Sequence, residues 1–415
     1  MAKRWWRGRW RQLLILGSLV GPGIITANID NDAGGIATYS IAGAHFGYAL
    51  LWTMIPATVV LIVVQEMAAR MGVVTGKGLA DLIRENFGVT VTFWLMVGLF
   101  LTDLGNTTAE FAGLAASMEL LAVPKYVSVP LGALFIWLLV VKGSYRMFER
   151  VFLGICLVYL TYVVAAIMAR PSWGEVVSQT IRPSFSVNAA YLSTMIGLVG
   201  TTITPWMQFY LQSAIVEKGV RPEQYWATRV DVIAGSFMTD IVGLFIMVAC
   251  GATLYKQGVG IESAEQAAQA LAPLAGKYAS ILFAVGLANA SLFSACILPL
   301  ATAYYICEAM GWEAGVDKTL RDAPQFMGLY TAFLVIGSLI VMVPGAPLIR
   351  IMWASQVING IMLPFVLIFM LKLVNQPDLM RGEFTNSRFQ NAVAWSTTVI
   401  MIALTVGFLV TAVVL

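Results

Sequence analysis

Histidine is almost missing from this sequence: His45 is the only one in 415 residues. A zinc-peptidase HExxH motif needs two histidines and an imidazole proton relay needs a series of them, so neither can be built here. Cysteine is scarce as well. Cys156, Cys250, Cys296 and Cys307 all fall in apolar runs, with no CxxC pair and no metal-ligand spacing. That excludes a disulfide scaffold and a structural zinc site. No GxSxG nucleophile elbow occurs, and nothing else supports catalysis, so the chain does not read as an enzyme and implies no cofactor. Charged residues make up only 11% of the chain against 59% hydrophobic, and mean hydropathy is +0.81. Soluble domains are roughly a quarter charged, so this composition cannot cover a water-facing surface. The net charge of +3 rests on few charges and calls for no nucleic-acid partner.

What is present is a series of apolar runs, at roughly 13–42, 46–70, 90–122, 127–142, 150–169, 189–217, 230–255, 272–309, 324–343, 346–373 and 390–415. Each is near the ~20 residues that cross a bilayer as a helix. The opening segment 1–12, MAKRWWRGRWRQ, is basic and aromatic with no small-residue cleavage site after it. It reads as a retained cytoplasmic anchor with interfacial tryptophans. With the N-terminus inside, nineteen Lys and Arg fall in cytoplasmic segments. Only Lys125, Arg170, Arg182, Lys256, Lys277 and Arg350 fall outside, which accounts for all 25 basic residues. Inserting or dropping one span would scramble that bias. The expected fold class is an all-α membrane protein of eleven transmembrane helices, one transporter domain over residues 1–415. Its expected setting is the plasma membrane, multi-pass, with the N-terminus cytoplasmic and the C-terminus outside, as a monomer in the lipid bilayer.

Two spans are interrupted. The first carries Gly21-Pro22-Gly23 and then Asn28-Ile29-Asp30-Asn31-Asp32-Ala33-Gly34-Gly35. A charge at that depth costs at least a few kcal/mol unless it faces protein or water. The sixth reads Gly200-Thr201-Thr202-Ile203-Thr204-Pro205-Trp206, where Pro205 removes a backbone hydrogen bond. Freed backbone is tolerated there only where it is buried or lines a cavity. The two are five spans apart, an odd number, so the two halves enter the membrane from opposite sides. Broken helices at matching places of inverted halves point to a secondary transporter working by alternating access. The first repeat is then 13–169 (helices 1–5), the second 189–373 (helices 6–10), with helix 11 at 390–415. On a continuous helix Asp30 and Asp32 would diverge by about 200°. Asp32, one residue before the glycine pair, is favoured as the ligand; Asp30 pairs with another helix or faces an outer vestibule. Asn31 lies between them, in the second shell or on the pathway.

At these breaks the sequence resembles the NRAMP family of divalent-metal transporters, which have a LeuT-like fold. Gly21-Pro22-Gly23 and Asp32-Ala33-Gly34-Gly35-Ile36-Ala37-Thr38 are similar to the family's first-helix GPG and DPGN-x-AT. Thr204-Pro205-Trp206, after Gly197-Leu198-Val199-Gly200, resembles its sixth-helix MPH segment. Thr107-Thr108-Ala109-Glu110-Phe111 is similar to the third-helix TDLAEF, Leu287-Ala288-Asn289-Ala290-Ser291 to the eighth-helix segment, and Ser355-Gln356-Val357 with Pro364-Phe365 to the tenth. The resemblance implies a metal site formed by the Asp32 carboxylate, the carbonyls of Ile29 and Thr201, and the Gln356 side chain. The family's Asn and Met ligands are replaced by Gly35 and Thr204. A thioether favours transition metals, whereas a hydroxyl is hard and suits Mg²⁺ or Mn²⁺. Losing an amide and a sulfur also widens the site, which suits the partly hydrated Mg²⁺ that sheds water reluctantly. In this the chain looks like the NRAMP-related magnesium transporters.

The family's proton-coupling positions depart too. Its sixth-helix histidines are Trp206 and Leu211, with Gln212 beside the second, and its third-helix Asp is Thr107. His45 falls at the outer end of the first hairpin, where a loop or interfacial role accounts for it. Glu110 remains, as a pathway group or simply a hydrogen-bonded carboxyl in the bundle. Trp206 walls the pocket or packs, and Asn289 and Asn359 line the path or bond between helices. Asp103 and Asp240 are weaker candidates, and Asp231 and Glu66, near cytoplasmic ends, read as a solvated face. The expected function is entry of Mg²⁺ and Mn²⁺, as transported substrates, without proton coupling. The alternative is a proton-coupled Mn²⁺/Fe²⁺ symporter. An amino-acid symporter is disfavoured because Asp32 repels a substrate carboxylate, and a channel lacks any filter repeat.

Overall fold

The computed structural model describes residues 29–141, 156–315, 318 and 321–414. The basic segment 1–12, Gly21-Pro22-Gly23, Asn28 and the loop with Lys142, Arg146 and Arg150 lie outside the described residues. Among the described residues every regular element is helical. In chain order the principal helices are α1 (Ala33–Phe46), α2 (Met54–Thr75), α3 (Leu79–Phe87), α4 (Val89–Glu119), α5 (Lys125–Val141), α6 (Leu160–Met168) and α7 (Trp173–Ile181). They continue as α8 (Ala189–Thr202), α9 (Pro205–Glu217), α10 (Tyr225–Cys250), α11 (Ala279–Met310), α12 (Pro324–Val341), α13 (Leu348–Val374) and α14 (Arg388–Val414).

Seven helical stretches among the described residues are long and apolar enough to cross a membrane, built on α2, α4 and α10 to α14. The four other expected spans are each accounted for differently. α5 is apolar but shorter, with Pro130 inside it. α6 continues a 3-10 turn at Cys156–Tyr159, where the described residues resume after 141. The sixth span is two half-helices, α8 and α9, and the first span contributes its second half as α1. The second span starts at Met54 rather than near 46. The reason is that α1 runs on to Phe46 and the chain then turns through Gly47, at φ +57°, and a 3-10 turn at Leu51–Thr53.

α1 is the centre of the bundle. It packs against α10, α13, α8 and α4, while α4 runs along α11 and α13 and α9 lies on α2. The α8–α13 crossing is made by glycine on both sides. A Cβ on Gly200 would collide with the Gln356 carbonyl and the Gly360 nitrogen, and one on Gly360 with the Ile196 carbonyl. Small residues let membrane helices approach this closely. Glu66 and Asp231 correct the expectation of a solvated face, because both are buried. Glu66 lies 3.3 Å from Arg70 and accepts a hydrogen bond from Gln390, and Arg70 reaches the Thr385 carbonyl. The segment leading into α14 thus folds back over the end of α2 and removes it from water.

Candidate functional site

Each break is two residues long. Ile29 and Asp30 are helical, Asn31 and Asp32 form the turn, and α1 begins at Ala33. Asp32 is its N-cap, with extended backbone (ψ −178°) and Oδ1 accepting from Gly35 N at 2.6 Å. An aspartate there satisfies an orphan helix N–H and places negative charge at the positive end of the helix dipole. In the sixth span Ile203 and Thr204 form the turn. Pro205 opens α9 and needs no partner for the N–H it lacks, and it holds Thr204 extended at ψ 137°. The Thr204 side chain makes no cap bond; its hydroxyl is buried and has no protein partner.

The breaks meet at Gly35. A Cβ on Gly35 would lie 2.5 Å from the Asp30 carbonyl oxygen, 3.1 Å from Thr201 Oγ1 and 3.4 Å from Asp32 Oδ1. Three oxygens from three residues therefore crowd the Gly35 Cα, and only glycine fits among them. Thr201 Oγ1 is buried and has no protein partner. The Asp30 carbonyl and the Thr201 hydroxyl are thus brought to Gly35, beside the Ile29 and Thr201 carbonyls that the resemblance implies as ligands. Both details depend on how the chain turns at Asn31, which hydropathy does not show.

Glu110 of α4 closes one side. Its Oε2 accepts from Ala33 N at 3.4 Å, Oε1 has no hydrogen-bond partner in the protein, and the carboxyl interacts directly with Asp32. Gln356 closes another, its amide pressed on Gly34 so closely that a Cβ there would overlap it. Its orientation differs from a ligand's. Oε1 accepts from Asn359 Nδ2 at 2.8 Å, so Nε2 faces Gly34. Offering oxygen to a cation requires a half-turn of that amide. A network absent from the sequence reading sets this. Asn359 and Asn106 exchange 3.0 Å hydrogen bonds, and Asn106 donates to Asp103 at 3.1 Å. Asp103 also accepts from Tyr305 at 2.8 Å and Thr302 at 3.0 Å. The Asp103–Asn106 spacing of three, one turn of a helix, was the available signal.

The remaining candidates divide. Trp206 is fully buried, its ring near Tyr210 and its Nε1 without a protein partner. Asn31 is turned to α10, donating to Thr239 Oγ1 at 2.9 Å. Asn289 is buried in α11. His45 is exposed at the end of α1, where its Nε2 accepts from Ile261 N at 3.4 Å. Among the described residues no three of His, Cys, Asp and Glu are grouped as a metal site would group them. The cradle is two carboxyls plus neutral oxygens, a set suited to hard cations held by oxygen alone.

Comparison with known proteins agrees with this architecture. Residues 23–411 match the family described as "Natural resistance-associated macrophage protein-like". The "Divalent metal cation transporter MntH" of Erwinia tasmaniensis is 30% identical over 410 residues, covering 95% of this chain and 94% of its own. The protein of the same name from Deinococcus radiodurans is 29% identical over 399 residues, covering 93% and 88%. Among solved structures, a mutant of the Eremococcus coleocola manganese transporter superposes with a TM-score of 0.75 at 21% identity, covering 94% of this chain and 85% of that one. MhsT in complex with L-phenylalanine gives 0.59 at 14% identity, covering 94% and 98%. These likenesses show the fold, the LeuT-like arrangement of broken first and sixth helices in a multi-pass membrane protein. The family match over nearly the whole length goes further: the chain belongs to the NRAMP family.

Proposed function

We propose that this protein is a secondary transporter for divalent metal ions that carries Mg²⁺ and Mn²⁺ into the cytoplasm, uncoupled from protons. The observation that carries this reading is the oxygen-only convergence at Gly35, with Thr204 where the family has a thioether. Asp32 supplies charge, and the Asp30 carbonyl and the Thr201 and Thr204 hydroxyls supply neutral oxygens. The Gln356 amide joins after its half-turn. Nothing soft remains to reject Mg²⁺ in favour of a transition metal. The relatives' names, divalent metal cation and manganese transporters, support the substrate class. With two-residue breaks on both spans, the half-helices can tilt about Asn31-Asp32 and Ile203-Thr204 while the ion stays at the meeting point.

A second reading, proton-coupled Mn²⁺ symport, is favoured by one observation: the Glu110 carboxyl lies against Asp32. Proteoliposomes at negative internal potential, loaded with a pH dye and given Mg²⁺, Mn²⁺ or Ca²⁺ outside, separate the two. Mg²⁺ and Mn²⁺ entry with a silent dye is expected. Mn²⁺ uptake that millimolar Mg²⁺ fails to inhibit would remove the magnesium assignment.

A further inference from the structure

The turn at Asn31-Asp32 separates two carboxylates with different neighbours. Asp32 belongs to the cradle on the α4, α8 and α13 side. Asp30 is 3% exposed, and neither of its carboxylate oxygens has a hydrogen-bond partner in the protein. Asp240 of α10 is the same: 4% exposed, with both oxygens outside hydrogen-bond geometry. The two carboxylates interact with each other electrostatically, Asp32 across the turn acts on Asp30 as well, and Tyr39 interacts with all three. No Lys, Arg or His side chain among the described residues acts on either.

The nearby hydroxyls and amide are committed elsewhere. Tyr39 Oη lies 2.9 Å from Thr202 Oγ1, and Thr202 gives its own hydrogen to the Leu198 carbonyl at 2.9 Å. With the Thr202 hydrogen given to Leu198, Tyr39 is the donor in that pair, which leaves its oxygen free to accept. Thr58, the hydroxyl facing Asp240, gives its hydrogen to the Met54 carbonyl at 2.8 Å. Asn31 spends Nδ2 on Thr239, the residue before Asp240, and its Oδ1 is buried without a protein partner. Thr58 is the one hydroxyl that acts on Asp240 as a donor, and it is shared with the Met54 carbonyl. Ionised carboxylates taken from water with few donors and no counter-charge are strongly disfavoured, so the pair holds either protons or a cation, and the oxygens around it are placed for a cation.

We propose that Asp30 and Asp240, with the Tyr39 oxygen and Asn31 Oδ1 beside them, form a second cation site on the α10 side of the first-span break. Oxygen-only ligation with two negative charges matches a hard divalent ion, Mg²⁺ or Mn²⁺. The identity of that ion rests on the reading of the preceding subsection; the existence of the site does not. Asp30 and Asp32 flank one turn, so the two sites share a hinge. An ion at one repels an ion at the other, which favours hand-over between them.

The test is equilibrium dialysis of the purified full-length protein against Mn²⁺, with Asp32→Ala removing the first site. Asp32→Ala is expected to retain one Mn²⁺ per chain, and adding Asp240→Asn or Asp30→Asn is expected to weaken that binding at least tenfold. Asp32→Ala with Asp240→Glu is expected to keep it, which together with a monodisperse gel-filtration profile separates ligand loss from misfolding. An Asp32→Ala protein that binds no Mn²⁺, or a double variant that binds as Asp32→Ala does, overturns the proposal. Failure of the transport reading looks different: wild-type proteoliposomes then move no divalent ion, while Mn²⁺ binding that depends on Asp240 persists.

Discussion

Single atoms at Asp32 and Gly35 carry most of the argument for this site. Asp32 has two jobs, capping α1 through Oδ1 and bringing charge to the cradle, and two substitutions divide them. Asp32→Asn keeps a capping oxygen, whereas Asp32→Ala also loses a cap worth about 1 kcal/mol. Both are expected to abolish Mg²⁺ and Mn²⁺ uptake in proteoliposomes, with only the alanine variant melting earlier. Near-normal uptake by either would sink the Asp32 assignment. Gly35 is a stricter case. Its Cβ would lie 2.5 Å from the Asp30 carbonyl, so Gly35→Ala forces backbone apart, at about 1–3 kcal/mol of overpacking. Uptake should fall sharply and the melting temperature drop. A variant as stable and active as the parent would show that the point is not constrained. Restoring the family's amide with Gly35→Asn meets the same obstacle before any change of selectivity appears.

At the scale of elements, the two breaks were legible in the sequence and their surroundings were not. Pro205 lacks an N–H and pushes Thr204 out of helical conformation, and Asp32 before two glycines is a helix start, so local chemistry alone marks both interruptions. Which carbonyl is freed, and which helix Asn31 turns toward, depends on backbone torsions that no periodicity encodes. Glu110 and Gln356 are 246 positions apart, yet both close on the first turn of α1. The α8–α13 crossing illustrates the coupling. Gly200→Ala is expected to push α13 away at the residue that carries Gln356. The expected cost is about 1–3 kcal/mol in stability together with weaker metal uptake, read by melting in detergent and by flux on the same preparation. Loss of stability with unchanged uptake affinity would mean that the crossing does not position Gln356.

The whole molecule sets the driving force. An inside-negative potential contributes about 2.3 kcal/mol per charge per 100 mV, hence about 4.6 for a divalent ion, roughly a two-thousand-fold concentration ratio. Under the uncoupled reading proposed above, that suffices to accumulate Mg²⁺, and metal entry is expected to leave internal pH unchanged and to scale with potential. Acidification that rises with metal dose and disappears in Glu110→Gln would show coupling through the carboxyl pair instead. Composition and charge bias determined by themselves that the chain is a helical membrane protein, because bilayer thickness and loop charge act on any apolar chain alike. The order of breaks determined which spans are interrupted, because proline and capping residues act within one turn of the backbone. Tertiary structure alone decided that Asp30 interacts with Asp240 as well as with Asp32, and that Asp32 interacts with Glu110. It also decided that the Gln356 amide is held by Asn359, and that Glu66 is buried beneath the segment before α14. Each of these is a meeting of residues far apart in the chain, fixed by how closely glycine lets helices approach and by where unpaired polar atoms find, or fail to find, a partner.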